Sequence, residues 1–283
     1  QRKQLVFSGD LGRYDNPVMH DPATIAHADV LLVESTYGDH DARVEDPEAE
    51  VARVVNQAIE RGGVLLVAAF AVGRTQTLLY YLKKLLSEGR VPEVPVFVDS
   101  PMGIRVSDLY PRHPTAHRLG HGNVFDFPGM RFITESRDSK ALNQETGPAI
   151  LISASGMCTG GRIVHHLFHR LPKPQDTLLL LGYQAEGTRG RRLQNGEPQI
   201  KMFGQLVPVH CHVEHLGGLS AHADRQDLLR WLSHFAPAPK RTFVVHGEPV
   251  AAEALAHTLR QEKGWPNVTV PDYLETAVLF ENI

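Results

Sequence analysis

Cysteine is nearly absent from this chain. Its 283 residues include two, Cys158 and Cys211. Two are too few for a disulfide framework, and a reducing cytoplasm is the expected location. Long apolar runs are missing as well. Nothing approaches the roughly 20 residues that a membrane-spanning helix needs, and no signal-peptide pattern opens the sequence. Positive charge is not in excess. With 29 basic and 32 acidic residues the formal net charge is −3, so any nucleic-acid surface must be a local patch. There is no internal repeat and no low-complexity segment. What the chain does carry in quantity is histidine, at 16 residues, which gives weight to metal chemistry. Hydrophobic residues make up 42%, enough to bury one large core or two modest ones.

Short apolar runs alternate with helical patterns. Gln4–Phe7 reads as a strand, followed by a turn with Asp10 at its start. Asp29–Glu34 reads as a buried strand running into Ser-Thr-Tyr-Gly. Asp46 caps a helix in which Val51, Val54, Val55, Ala58 and Ile59 recur at helical spacing, and Gly62-Gly63 stops it. Strand–helix pairs are then predicted at Val64–Ala69 with Thr75–Ser87, and at Val94–Asp99 with Pro101–Tyr110. Further pairs follow at Arg131–Thr134 with Ser139–Gln144, and at Ala149–Ala154 with Gly161–Leu171, before a strand at Thr177–Gly182. This alternation predicts a mostly parallel sheet covered by helices on both faces. From Gln199 the pattern changes to strand alternation over Lys201–Val213. A helix (Arg225–Phe235), a strand (Arg241–Val245), a helix (Val250–Glu262) and two short strands close the chain. The expected organisation is α/β in three pieces: a fragmentary first domain (1–38), an inserted α/β domain (39–219) and a return to the first domain (220–283). The chain opens with Gln1 almost directly on a strand, so it reads as a piece of a longer protein.

Four residues stand out as chemistry. Asp10 follows an apolar strand, although taken alone it reads first as a turn aspartate bonding its own backbone. Glu34 ends a buried strand, where a carboxylate needs a partner such as histidine unless it reaches solvent. His222, in Ser-Ala-His-Ala-Asp, precedes a helix. His246 ends the strand Thr242–Val245 and is followed by Gly247 and Glu248. Each has an ordinary structural reading. Their value lies in the set, offered at element edges where a scaffold meets a cleft.

The set resembles a known family. Ser-Gly-Asp at Ser8–Asp10, Glu-Ser-Thr-Tyr-Gly at Glu34–Gly38, Ser-Ala-His-Ala-Asp at Ser220–Asp224 and Val-His-Gly-Glu at Val245–Glu248 are similar to the motifs of the β-CASP metallo-β-lactamase nucleases. Further stretches, Ala69–Gln76, Asp99–Met102, Ser155–Arg162 and Gly182–Gly190, resemble that family's inserted domain. The resemblance covers essentially the whole chain. It implies a Rossmann-like parallel-sheet β-CASP insert plus part of a metallo-β-lactamase αββα domain. It implies that Asp10 bridges two zinc ions, that His246 ligates the second, and that His222 is a general acid oriented by Glu34. A carboxylate suits two ions about 3.5–4 Å apart, and a carboxylate-paired histidine suits protonation of a leaving oxygen. A histidine at 246 is similar to the RNA-processing branch, where the DNA-repair branch usually carries valine. Resemblance to the J-type ribonucleases makes Ser220 a candidate phosphate contact.

One departure bears on activity. The family's His-x-His-x-Asp-His zinc motif, and a further histidine ligand, belong upstream of Asp10 and are not in this sequence. Asp10 and His246 alone do not make a closed zinc site, so this polypeptide alone is expected to lack a complete two-zinc centre and to be inactive. His210-Cys211-His212-Val213-Glu214-His215 imitates the missing motif. Yet Val207, Val209, Cys211 and Val213 alternate with His210, His212 and Glu214, a two-faced strand instead of a ligand set. Gly156 to Gly161 is followed by Arg162 and Ile163, so the loop is not a nucleotide P-loop. Its glycines read either as phosphate-facing backbone or as close packing of a turn. His165 and His169, one helical turn apart, read as helix surface. Arg162, Arg189, Arg191 and Arg192 form the best local basic patch for an RNA backbone, against the reading of a solvated charged loop.

The sequence therefore predicts a zinc-dependent ribonuclease with single-stranded RNA clamped by the insert, cytoplasmic, with a homodimer as an expected assembly and no membrane partner. The rival readings are a non-catalytic RNA-binding paralogue, a DNA nuclease and a small-molecule metallo-hydrolase. An intact upstream zinc motif would favour the enzyme over the paralogue. His246 disfavours DNA, and the long insert disfavours a small substrate. The mode of cutting, from an end or internally, is open at this point, as is the RNA target.

Overall fold

Strands of the two larger sheets pair in parallel throughout, as the strand–helix alternation predicts. The computed structural model describes residues 2–41, 46–122 and 124–280. The chain divides into two units. The first comprises Gln1–Asn16, His20–Arg43 and Ala221–Ile283, and the second Pro17–Met19 and Val44–Ser220. Among the described residues no helix is long and apolar enough to cross a membrane.

The first unit opens with β1 (Leu5–Phe7) and β2 (Val30–Glu34). The second begins at α1 (Pro47–Glu60). Its start is set by chemistry: Asp46 Oδ1 accepts from the Ala49 N–H at 2.9 Å, Pro47 occupies a first-turn position that needs no donor, and Glu48 and Glu50 face the positive helix end. There follow β3 (Val64–Ala68), α2 (Arg74–Ser87), β4 (Val96–Asp99), α3 (Pro101–Ser107) and β5 (Met130–Phe132). After these come α4 (Ser136–Ala141), β6 (Ala149–Ser153), α5 (Arg162–Arg170), β7 (Thr177–Leu181) and α6 (Arg189–Gln194). Then come β8 (Gln199–Met202), β9 (Gln205–Pro208) and β10 (His212–Leu216). The chain returns to the first unit with α7 (Arg225–Leu232), β11 (Arg241–Val245), α8 (Pro249–Gln261) and β12 (Val268–Thr269).

In the second unit six strands order as β10-β7-β3-β6-β4-β5. Every residue of β3, β6 and β7 is buried, because both faces of the sheet are covered. Leu65, Val67, Ile150 and Ile152 point to one face and share a core with α1 and α2. Leu66, Leu151, Leu178 and Leu180 point to the other and share a core with α5. This is a Rossmann-like α/β layer. In the first unit the order is β1-β2-β11-β12. Val6, Leu31, Val33 and Val244 pack against Leu228, Trp231 and Leu232 of α7 and Leu255 and Leu259 of α8. On the opposite face Leu5 and Phe7 are 45% and 68% exposed.

Two expectations need correction. The alternation over Lys201–Val213 is not one strand run. Residues 199–208 form an antiparallel hairpin, β8–β9, and β10 joins the edge of the six-stranded sheet beside β7. The break is a turn at Phe203 and Gly204, both at positive φ (49° and 80°), and phenylalanine there gives no turn signal in sequence. At the other end only β12 forms among the described residues, where two short strands were expected.

The second unit also contains a buried ion pair. Arg170 Nη1 donates to Asp176 Oδ2 at 2.9 Å, and Arg170 Nη2 donates to the Leu142 carbonyl at 2.6 Å. Asp176 Oδ1 accepts from Val64 N–H at the start of β3. Asp176→Ala leaves a buried guanidinium uncompensated. It is expected to cost about 3–5 kcal/mol of stability, read as a lowered urea midpoint.

Candidate functional site

Glu34 closes β2 with 1% exposure, and a carboxylate so buried has to be paired. Its partners arrive from three places. Leu11 N–H donates to Oε1 at 2.6 Å and Thr36 N–H to Oε2 at 3.4 Å. His222 Nδ1 lies 3.1 and 3.0 Å from the two oxygens. A carboxylate only accepts, so Nδ1 carries the hydrogen.

Local pairing brings these groups together. Ser8 follows β1, accepts from Glu34 N–H at 3.1 Å through Oγ and donates its own N–H to the Leu32 carbonyl at 2.9 Å. The chain then turns through Gly9 at φ +57° and Asp10. Leu11 and Gly12 run against the residues around His222: Ala223 N–H donates to the Leu11 carbonyl at 2.8 Å, and Gly12 bridges His222. Asp224, just beyond, caps α7 by accepting from Asp227 N–H at 3.0 Å.

His246 comes from the neighbouring strand. β11 pairs with β2 in parallel with Val245 opposite Glu34, so the residues after each strand emerge side by side. Ser35 Oγ donates to the Val245 carbonyl at 2.9 Å, and Thr36 Oγ1 donates to the His246 carbonyl at 3.2 Å. Thr36 Oγ1 also lies 3.3 Å from His222 Nδ1 and 3.4 Å from His246 Nδ1. His246 sits at φ +52°, a conformation that costs a side-chain-bearing residue about 1–2 kcal/mol. Gly247 explains how the turn passes: a Cβ there would lie 2.3 Å from Ser35 Oγ and 2.6 Å from the Ser35 carbonyl oxygen.

The result is a cluster. The His222 and His246 ring centroids are 5.6 Å apart, and His246 Nδ1 is 3.7 Å from Asp10 Oδ1. Asp10, His222 and His246 each offer a ligand atom, all within 4.8 Å of one another. One carboxylate and two imidazoles match the donor types of a zinc centre that keeps an open position. Sequence reasoning paired Asp10 with His246 alone. The structure adds His222 to the same reach, and Thr36 as the hydroxyl between the two rings. Thr36 lies inside Glu-Ser-Thr-Tyr-Gly, but its contacts depend on the β2–β11 pairing, which no local pattern announces.

The other candidates are placed differently. Each of the four arginines carries hydrogen bonds within the protein. Arg162 donates to Asp99 Oδ1 at 2.6 Å and to the Ile133 and Thr134 carbonyls at 2.9 and 2.7 Å. Arg189 donates to the Cys158 carbonyl and Arg191 to the Gln184 carbonyl at 2.6 Å. Arg192 forms a fork with Glu197; hydrogen bonding to Arg192 holds the Glu197 carboxyl below its usual range. Ser220 is 2% exposed. His210, His212 and His215 form no metal-ligand group among the described residues; His215 Nε2 instead meets the Gly182 carbonyl at 2.8 Å. The glycine loop is close packing: a Cβ on Gly156 would lie 2.4 Å from the Phe70 ring, and one on Gly161 2.6 Å from the Ala154 carbonyl oxygen.

Residues 75–193 match the Beta-Casp domain, and residues 206–271 match the Zn-dependent metallo-hydrolase RNA specificity domain. A ribonuclease of Thermus thermophilus is 38% identical over 266 residues, which is 91% of this chain and 60% of that protein. The transcription termination factor FttA of Methanosarcina mazei is 31% identical, over 90% of this chain and 42% of its own length. An RNase J-like protein of Methanocaldococcus jannaschii is 29% identical, over 96% of this chain and 63% of its own. The chain therefore spans about 60% of the ribonuclease it matches, and less than half of the termination factor.

Gly247→Ala is expected to push His246 out of the cluster. The overlap with Ser35 should cost about 1–3 kcal/mol, read by thermal denaturation. Zinc affinity, read by calorimetry, should fall with it.

Proposed function

Because this chain belongs to the β-CASP metallo-β-lactamase family, we propose that it is the β-CASP layer and flanking lactamase-fold elements of a zinc-dependent ribonuclease. The observation that carries the reading is the convergence of Asp10, His222 and His246 beside the buried Glu34. Asp10 and His246 would hold metal. Bound zinc supplies an activated water and charge stabilisation at phosphate. Glu34 holds His222 with Nδ1–H directed at the carboxylate, so that Nε2 faces the substrate side and delivers a proton to the departing ribose oxygen. Single-stranded RNA is the substrate and the cytoplasm the location. RNA is favoured by the RNA specificity domain over residues 206–271 and by a relative named as a ribonuclease.

The chain alone is part of the catalytic unit. Asp10 and His246, with His222 within 4.8 Å of both, supply part of a metal's ligands, whereas the family's two-zinc centre draws further ligands from sequence that lies outside this chain. The exposed Leu5 and Phe7, on the face of the first sheet away from α7 and α8, are where further structure would cover apolar surface.

Calorimetry with zinc is the direct test. One ion is expected per chain, with binding lost in Asp10→Ala and in His246→Ala. No zinc uptake by the unsubstituted chain would remove the metal-centre reading. The chain by itself is expected not to cleave RNA. Extended upstream to the length of its relatives, it should cleave, and His222→Ala should lower the rate by about 10²–10⁴-fold with zinc content unchanged. Loss of zinc in that variant would make His222 a ligand instead of an acid.

A further inference from the structure

The second unit contains a polar groove that the proposed chemistry does not use. A cavity of about 440 Å³ opens between α4 with its following turn and α5, within the size range of small-ligand sites of about 300–1,000 Å³. Its charged and imidazole-bearing walls are Lys140, Arg162, His165 and His169, joined by the amides of Asn143 and Gln144. Among the described residues that line it there is no carboxylate. Asp99, which Arg162 and Ser139 of the wall contact, is fully buried and already paired. Its Oδ2 accepts from Ser139 Oγ and His166 Nε2, each at 2.6 Å, and its Oδ1 accepts from Arg162. Burial would push the Asp99 carboxyl up, but the hydrogen bonds from His166, Ser139 and Arg162 outweigh it and hold the group below the usual carboxylate range. His166 Nδ1 meets Asn143 Oδ1 at 2.8 Å. This network ties α4, its following turn and α5 to the end of β4, so the groove walls are held at fixed spacing.

The rim is aromatic. His165 stacks on Phe203 with centroids 5.1 Å apart and planes at 26°. Phe203 is 57% exposed and stands at φ +49° at the tip of the β8–β9 hairpin. A bulky residue in a left-handed conformation is strained, and the Phe203 ring also meets Phe168 edge-on with centroids 5.5 Å apart. Burial first, and then Lys173, His166, Arg170 and His165, lower the His169 pKa.

We propose that this groove seats one nucleotide of a single-stranded RNA, with its phosphate against Lys140 and His169 and its base on the His165–Phe203 stack. Cationic side chains beside an aromatic platform are what sequence-tolerant single-strand binding requires. The proposal rests on the RNA-acting reading above and adds a subsite to it. Arg162 serves here as the brace between Asp99 and the groove wall, and Lys140 carries the charge contact.

The test uses the whole chain with a fluorescent oligouridylate by anisotropy, and with uridine 5′-monophosphate and inorganic phosphate by histidine NMR. Lys140→Ala and Phe203→Ser alter exposed side chains. Each is expected to weaken oligouridylate binding about tenfold. Lys140→Ala should also reduce the salt slope by about 0.7. The His165 and His169 resonances should move with the mononucleotide. Unchanged RNA affinity in both variants, or immobile His165 and His169 resonances, would overturn the subsite. So would a response to phosphate alone with no RNA binding. Zinc uptake lost in Asp10→Ala, with no RNA dependence on Lys140, would leave the metal-centre reading standing and remove only the groove.

Discussion

Parallel strand pairing governs where the chemistry can sit. In a parallel sheet successive strands finish at one edge, so the residues following them share a neighbourhood regardless of sequence separation. Phe7 lies opposite Leu32 and Val245 opposite Glu34. Residues 8–10, 34–36 and 246–247 therefore leave the first sheet together. The buried Glu34 then does the selecting. An unpaired carboxylate at that depth would cost several kcal/mol, and its demands are met by Leu11 N–H, Thr36 N–H and the His222 ring. Meeting them draws residues 11–13 against 222–223, which fixes His222 beside His246. One acid and one register place all four groups.

Much of this was legible because it rests on local rules. Asp46-Pro47-Glu48 announces a helix start. The unbroken apolar runs of β3, β6 and β7 announce a sheet covered on both faces. Asp10, Glu34, His222 and His246 were singled out by motif and by position at element ends. What could not be read depends on pairing at a distance. Thr36 gains its place from a strand more than 200 residues away. The internal acceptors of the arginines are not legible either, because sequence shows donors and hides acceptors. Carbonyls of Ile133, Thr134, Cys158 and Gln184 accept from three of the four, and any residue type can supply a carbonyl. Phe203 reads as strand in sequence because its left-handed turn has no compositional mark.

The same strand-end rule acts in the second unit, with a different outcome. β4 ends at Asp99 and β6 at Ser153, whose Oγ donates to the Asp99 carbonyl at 3.0 Å. At this edge the buried acid collects no exposed histidine. It collects Ser139, His166 and Arg162, all of them structural in the first instance. The fork geometry of Arg162 is needed because it must reach Asp99 Oδ1 and the Ile133 and Thr134 carbonyls at once. A lysine ammonium is a single compact charge that cannot serve those three acceptors with the same planar spread. Arginine here trades availability to a ligand for rigidity of the groove wall. In both units, then, a buried aspartate or glutamate at a strand end is the organising charge. What differs is how the histidine is held. His222 meets Glu34 through Nδ1, and the proposed proton transfer uses its Nε2. His166 spends Nε2 on Asp99 and Nδ1 on Asn143, and can act only by holding its neighbours in place.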